Sequence, residues 1–184
     1  MVHCNMKPRF TKAKLAMRSK IQLLSDQTIN QIAAGEVIEN PASVVKELVE
    51  NAIDAGASNI SIEILSGGFQ KIKVIDDGSG MSDADALLCL KRHATSKIAE
   101  AKDLFSLMTM GFRGEALASI AAVSKMSLLS ALEGAPAVFV EVEGGAISPV
   151  QPGARSRGTT IEVRSLFHNV PARKKFFTIL SSNE

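Results

Sequence analysis

At 184 residues with 46% apolar content, the chain has room for one domain with a real core and the composition of an ordinary soluble protein. Eight Phe with no Trp and no Tyr argue against a single-strand nucleic-acid binder built on stacking platforms. Cys4 and Cys89 are too few and too far apart for a zinc site or a disulfide framework, no apolar run reaches membrane-spanning length, and residues 1–20 lack the apolar core of a secretory signal.

The net charge of +2 is unevenly spread. Lys7, Arg9, Lys12, Lys14, Arg18 and Lys20 stand in the first 25 residues without an acid. Arg155, Arg157, Arg164, Arg173, Lys174 and Lys175 face only Glu162 and Glu184 near the other end. Basic ends on a near-neutral body allow an acidic partner. Residues 1–20 read as a basic extension expected to be disordered, faintly like an organelle transit peptide, with Met17 as an alternative start; residues 21–184 read as the domain. Asn59, Ile60 and Ser61 fit a glycosylation pattern, which is treated as chance because nothing else suggests secretion.

Ser25–Gly35 predicts a short helix capped by Ser25, with Ile29, Ile32 and Ala33 as its apolar face and Gly35 as its end. Asn40–Gly56 predicts a longer one: Asn40 caps it, Pro41 takes the first helical position, and Gly56 suits a left-handed stop. Val45, Leu48, Val49, Ala52 and Ile53 form its apolar stripe. Beside them run Glu47, Glu50, Asn51 and Asp54, with Lys46 as the one internal counter-charge. Such a stripe suits a solvated acidic face. It also suits a rigid array of oxygens for a hard cation and a water, with Asn51 as a neutral magnesium ligand.

Asn59–Leu65 and Lys71–Ile75 alternate as an antiparallel hairpin, and the second strand runs into Asp76, Asp77, Gly78, Ser79 and Gly80. Glycines there let a flat ligand approach the backbone, and a carboxylate accepts from an exocyclic amine, although Asp-Gly turns are common. Ser82–Asp85 is an acidic capping box opening a helix to about His93. Thr95, Ser96 and Lys97 offer two hydroxyls and an ammonium. Gly111, Phe112, Arg113 and Gly114 enter a helix through Glu115, Ala116 and Leu117, where free N–H groups suit phosphate. Strands follow at Lys125–Ala131, Ala137–Val142 and Thr159–Arg164, then a helix at Pro171–Leu180. Adjacent, mostly antiparallel strands predict an α+β fold, a two-layer α/β sandwich. Walker-type and Rossmann glycine patterns are missing, and His3, His93 and His168 show no metal-ligand spacing.

Together, Glu47-x-x-x-Asn51, Asp76-x-Gly78-x-Gly80, Gly111–Leu117 and Gly158–Thr160 resemble the four nucleotide motifs of the GHKL ATPases. Gln31–Val37, Pro41–Asn51, Arg92–Lys97, Gly111–Ile120 and Leu166–Arg173 resemble, within that superfamily, the MutL-type mismatch-repair proteins, with His168 where that family usually has Tyr. The likeness covers about Ile21 to Phe177. It implies a Bergerat ATP-binding fold with ATP and Mg2+ as cofactors. It implies Glu47 as general base, Asn51 as magnesium ligand, and Asp76 on the adenine amine with Gly78 and Gly80 giving room. Thr95, Ser96, Lys97 and Gly111–Leu117 would form lid and phosphate cradle, and Thr160 would close the adenine side.

The likeness further implies an ATP-gated dimerisation switch acting through the N-terminal region. Its partners would be DNA and the mismatch-recognition and excision proteins, in the cytoplasm at the bacterial nucleoid and without membrane contact. Such proteins follow this domain with another whose lysine reaches the γ-phosphate, so residues 1–184 alone are expected to bind nucleotide weakly, to hydrolyse little and to stay monomeric. The rival readings are a nucleotide-binding, DNA-associating module without hydrolysis and another GHKL-type ATPase.

Overall fold

Strands form wherever apolar residues alternate, and the alternation also decides which face they bury. The computed structural model describes residues 22–92, 94 and 115–175. Strands β1 (Ile60–Leu65), β2 (Lys71–Asp76), β3 (Lys125–Ala131), β4 (Ala137–Glu143) and β7 (Gly158–Arg164) fall within about a residue of the expected positions. Two short ones, β5 (Ala146–Ile147) and β6 (Gln151–Gly153), do not announce themselves in the sequence. All pairings are antiparallel, in the order β1-β2-β7-β3-β4-β5, with β6 also on β4. Helices α1 (Asp26–Val37), α2 (Pro41–Asp54), α3 (Asp83–Leu88) and α4 (Ala116–Ala122) complete the expected two-layer α+β sandwich.

The core lies between the layers. Ile72 and Val74 of β2, Met126 and Leu128 of β3, Val140 and Val142 of β4, and Ile161 and Val163 of β7 are buried against Ile38, Val44, Leu48, Ile120 and Val123. The opposite sheet face is laced with ion pairs: Lys71 to Glu63 at 2.8 Å, Lys125 to Glu143 at 2.7 Å, and Arg164 to Glu162. Charges at the out-facing positions let one side of the sheet meet water while the other packs.

Helix α2 keeps the expected ends. Asn40 Oδ1 accepts from the Ser43 amide at 2.9 Å, and Pro41 follows at the first turn. At the far end Gly56 takes φ +71°, its amide reaching the Ile53 carbonyl and that of Ala57 the Ala52 carbonyl. The apolar face needs correction. Val44, Leu48 and Ala52, one line at four-residue spacing, are buried, whereas Ile53 is 54% exposed. Ile53 lies about 100° round the helix from Ala52, off the buried line, and Ile62 and Ile64 of edge strand β1 are exposed as well.

Helix α1 also departs from expectation. It runs through Gly35 to Val37, and Ala34 and Ile38 are buried while Ile29 and Ile32 are exposed. Gly35 is there for closeness, since a Cβ would stand 2.8 Å from Nη2 of Arg173. That guanidinium donates to the carbonyls of Gly35 at 2.6 Å and Ile38 at 2.5 Å, and lies 5.4 Å from the Phe167 ring centroid. Helix α3 has its capping box, Ser82 Oγ accepting from the Asp85 amide at 3.2 Å, but ends at Leu88. The chain turns there so that Leu90 enters the core and Arg92 reaches Asn30. Burial pushes the Cys89 thiol up to about 12, with Asp85 adding to it. Residues 171–175 start the expected last helix; the rest of it, the extension 1–20 and most of 93–114 lie outside the described residues.

Candidate functional site

The site is built where β2 ends. Pleating puts Ile72, Val74 and Asp76 on the helix side of the sheet, so the strand finishes with a carboxylate at a core position. Asp76 is only 8% exposed. Its Oδ1 accepts from the amides of Gly78 at 2.9 Å and Thr159 at 3.2 Å, and its Oδ2 takes no hydrogen bond among the described residues. A carboxylate this buried needs donors. One oxygen has two and the other is left for a donor from outside.

The loop after Asp76 is packed onto the end of α2. The Ser79 amide donates to the Ala55 carbonyl at 2.9 Å, and a Cβ on Gly78 would stand 2.9 Å from Ala55 Cβ. Gly80 takes φ +73°, and a Cβ there would overlap the Ala131 carbonyl. Both glycines therefore answer first to the chain itself, a reason that a sequence shows only as Asp-x-Gly-x-Gly. Asp77 anchors the other side: its carboxylate accepts from Ser58 N at 2.7 Å, Asn59 N at 2.9 Å and Asn59 Nδ2 at 2.8 Å. Those bonds, the Asn59 side-chain amide foremost, hold its carboxyl down at about 2.

Helix α2 thus brings its C-terminal end to the Asp76 loop, Asn51 lying one turn before Ala55, whose amide its carbonyl receives at 3.0 Å. The Asn51 side chain makes no hydrogen bond among the described residues. Lys46 Nζ is 2.9 Å from Glu50 and 3.6 Å from Glu47, so Glu50 is its main partner. The Glu50 bond raises the Lys46 pKa. Among the described residues no three His, Cys, Asp or Glu side chains gather to hold a metal. Magnesium takes one or two protein oxygens and completes its shell with water and phosphate. An amide oxygen on Asn51 and an open acceptor on Asp76 fit a metal–nucleotide pair.

Thr160 falls on the other side. Adjacent residues of a strand point to opposite faces, and Thr159 is the one buried with Asp76. The Thr160 hydroxyl accepts from Arg155 on the open face. Thr159 Oγ1 bonds Ser130 Oγ at 2.9 Å, and Ser130 Oγ accepts from the Met81 amide at 2.9 Å. Ser130 belongs to no motif and Thr159 stands in the Gly158–Thr160 run without a role of its own; the signal of both is a hydroxyl in phase with the buried Leu128 and Ile161. Of the expected lid and cradle, Glu115, Ala116 and Leu117 are described: Glu115 lies 3.5 Å from Arg92, and Ala116 and Leu117 open α4. Thr95, Ser96, Lys97, Gly111, Phe112, Arg113 and Gly114 lie outside the described residues. No described helix is long and apolar enough to cross a membrane.

Comparison with known proteins bears out the kinship that the motifs carry. Residues 38–161 match the family described as Histidine kinase-, DNA gyrase B-, and HSP90-like ATPase. The DNA mismatch repair protein MutL of Dictyoglomus thermophilum is 59% identical over 157 residues, covering 85% of this chain and 27% of that protein. The chain therefore spans about a quarter of the length of such relatives. Among solved structures, the N terminal domain of a DNA repair protein superposes with a TM-score of 0.69 at 33% identity, over 84% of this chain and 44% of the other. The Aquifex aeolicus MutL ATPase domain complexed with ADP superposes with a TM-score of 0.56 at 35% identity, over 76% and 48%.

Proposed function

The chain belongs to the histidine kinase-, DNA gyrase B- and HSP90-like ATPases, and from that premise we propose that it is the ATP-binding and ATP-hydrolysing part of a MutL-like DNA mismatch-repair protein. The observation that carries the reading is Asp76: a buried carboxylate with one oxygen held by two amides and the other open. The exocyclic amine of adenine donates to Oδ2. Thr159, rather than Thr160, closes that side, because its amide already shares the carboxylate. Gly78 and Gly80 let the loop pack against Ala55 and the Ala131 carbonyl, and so carry its backbone close beside the base.

Asn51 would hold Mg2+, which when bound neutralises charge on the phosphate oxygens. Glu47 takes the proton of the attacking water, one turn along α2 from Asn51. Lys46 leans to Glu50 and leaves the Glu47 carboxylate as a base. Thr95–Lys97 and Gly111–Leu117 supply hydroxyls, charge and amides to the phosphates. At the scale of the whole protein, ATP gates dimerisation through this region and couples mismatch recognition on DNA to excision, in the bacterial cytoplasm at the nucleoid. The kinship with proteins named MutL supports that part.

Competitive titration of ATP and GTP tests the reading. Guanine presents a carbonyl where adenine has its amine, so two acceptors would meet and ATP wins. Asp76→Asn, whose amide also donates, weakens ATP and narrows the gap. Equal affinity of the wild-type chain for ATP and GTP refutes the role of Asp76.

A further inference from the structure

The Asp76 loop is held from one side by two arginines of the 154–157 connection between β6 and β7. Arg155 donates through Nη2 to the Asp76 carbonyl, through Nη1 to Thr160 Oγ1, and through Nε to the Arg157 carbonyl at 2.8 Å. Arg157 donates through Nε to the Gly78 carbonyl at 3.1 Å and pairs with Glu133 at 3.4 Å. The carbonyls on either side of Asp77 thus each receive a guanidinium from a separate loop. Across the loop, Asp77 is bonded to Ser58 and Asn59, and Ser79 to Ala55.

Charge-assisted bonds are the stronger kind, and the rigid fork of Arg spans two acceptors as a Lys ammonium does not. What the grip fixes is the peptide frame from Asp76 to Gly78, and with it the aim of the Asp76 carboxylate. A misplacement of about 1 Å is enough to spoil a donor–acceptor match.

We infer that Arg155 and Arg157 are positioning residues that set the base selectivity of the site by holding the backbone that carries Asp76, an inference that rests on the adenine reading above. Neither works by its own contact with the nucleotide; both act through the loop. Loss of either loosens adenine recognition while the phosphate-binding part, common to all nucleotides, is unchanged.

The test uses the 184-residue chain with magnesium. ADP and GDP are titrated by calorimetry into wild type, Arg155→Ala, Arg155→Lys and Arg157→Ala, with a thermal melt of each; Arg155→Gln replaces Arg155→Ala if the latter does not fold. Wild type prefers ADP. Arg155→Ala and Arg157→Ala lose about tenfold in ADP affinity, the scale of one charge-assisted bond, with GDP changed by less than about twofold. Arg155→Lys behaves like Arg155→Ala, because one ammonium does not replace the fork. An ADP-to-GDP ratio that is unchanged in every variant overturns the inference and leaves Asp76 as the adenine acceptor. Equal loss of both nucleotides together with a lower melting temperature assigns the arginines to mere stability and also overturns it. A wild type without ADP preference removes the adenine reading and the inference with it.

Discussion

Glu47 and Glu50 sit three residues apart on one helix, and Lys46 tells them apart. It stands 2.9 Å from Glu50 and 3.6 Å from Glu47, so Glu50 is the more closely held of the two. In a chain extended to the length of its relatives, Glu47→Ala leaves nucleotide affinity nearly intact and slows turnover by about 10²–10⁴. Glu50→Ala, by contrast, changes turnover by no more than a few fold. Phosphate release at the wild-type rate from the Glu47 variant removes Glu47 as the base. Asp77 makes a prediction of a different kind. Its folded pKa of about 2 lies below the ordinary carboxylate value of 3.8, so its ionised form is favoured by folding. Its contribution is present in full above that ordinary value and fades as pH falls toward 2. Asp77→Asn is therefore less stable than wild type in urea at pH 7, and the gap narrows in melts taken below about pH 4. A gap independent of pH would put its origin in something other than ionisation.

Among the elements, α1 and α2 show what a sequence does and does not display. Caps are local, and Asn40, Pro41, Gly56 and Ser82 all perform as their neighbours predict. The side of a helix that meets the core depends on a partner distant in sequence. Val44 rather than Ile53 lines α2, and Ala34 rather than Ile32 lines α1. Gly35 looked like a stop because glycine often is one. Its actual neighbour is Arg173, 138 residues further along the chain. Magnitudes settle what happens on substitution. Ala in mid-helix gains about 1 kcal/mol over Gly. A Cβ at Gly35 pushes the far end of the Arg173 side chain aside, and that shift weakens two bonds from a charged donor, worth about 1.5–3 kcal/mol each when intact. Gly35→Ala therefore destabilises wild type yet stabilises an Arg173→Ala background by about 1 kcal/mol in urea unfolding. Stabilisation in both backgrounds would mean that Arg173 moves aside freely. The site shows the same division. The order of Asp76, Gly78 and Gly80 is legible because the loop is contiguous, whereas Arg155, Arg157, Ser130 and Thr159 reach it only through the fold. The choice between Thr159 and Thr160 needed the strand's phase, set by its pairing with β2 and β3.

The molecule as a whole is one sheet with its strands out of chain order, and that has a kinetic side. Strand β7, late in the chain, lies between β2 and β3 and pairs with both. Until it arrives, the β1–β2 hairpin and the β3–β4 hairpin share no strand-to-strand bond, and Asp76 lacks the Thr159 amide. Chains dominated by such distant pairings fold slowly, since loop closure precedes the contacts that reward it. On the ribosome the two hairpins emerge as separate halves with open edges, an arrangement prone to pairing with other chains. The keystone strand joins them in one step, so sheet and nucleotide site are completed together. A chain ending before Gly158 is then expected to show no cooperative melt by circular dichroism and to bind no ADP. One that includes β7 regains both at once, and a cooperative transition in the shorter chain would show that the hairpins find each other without it.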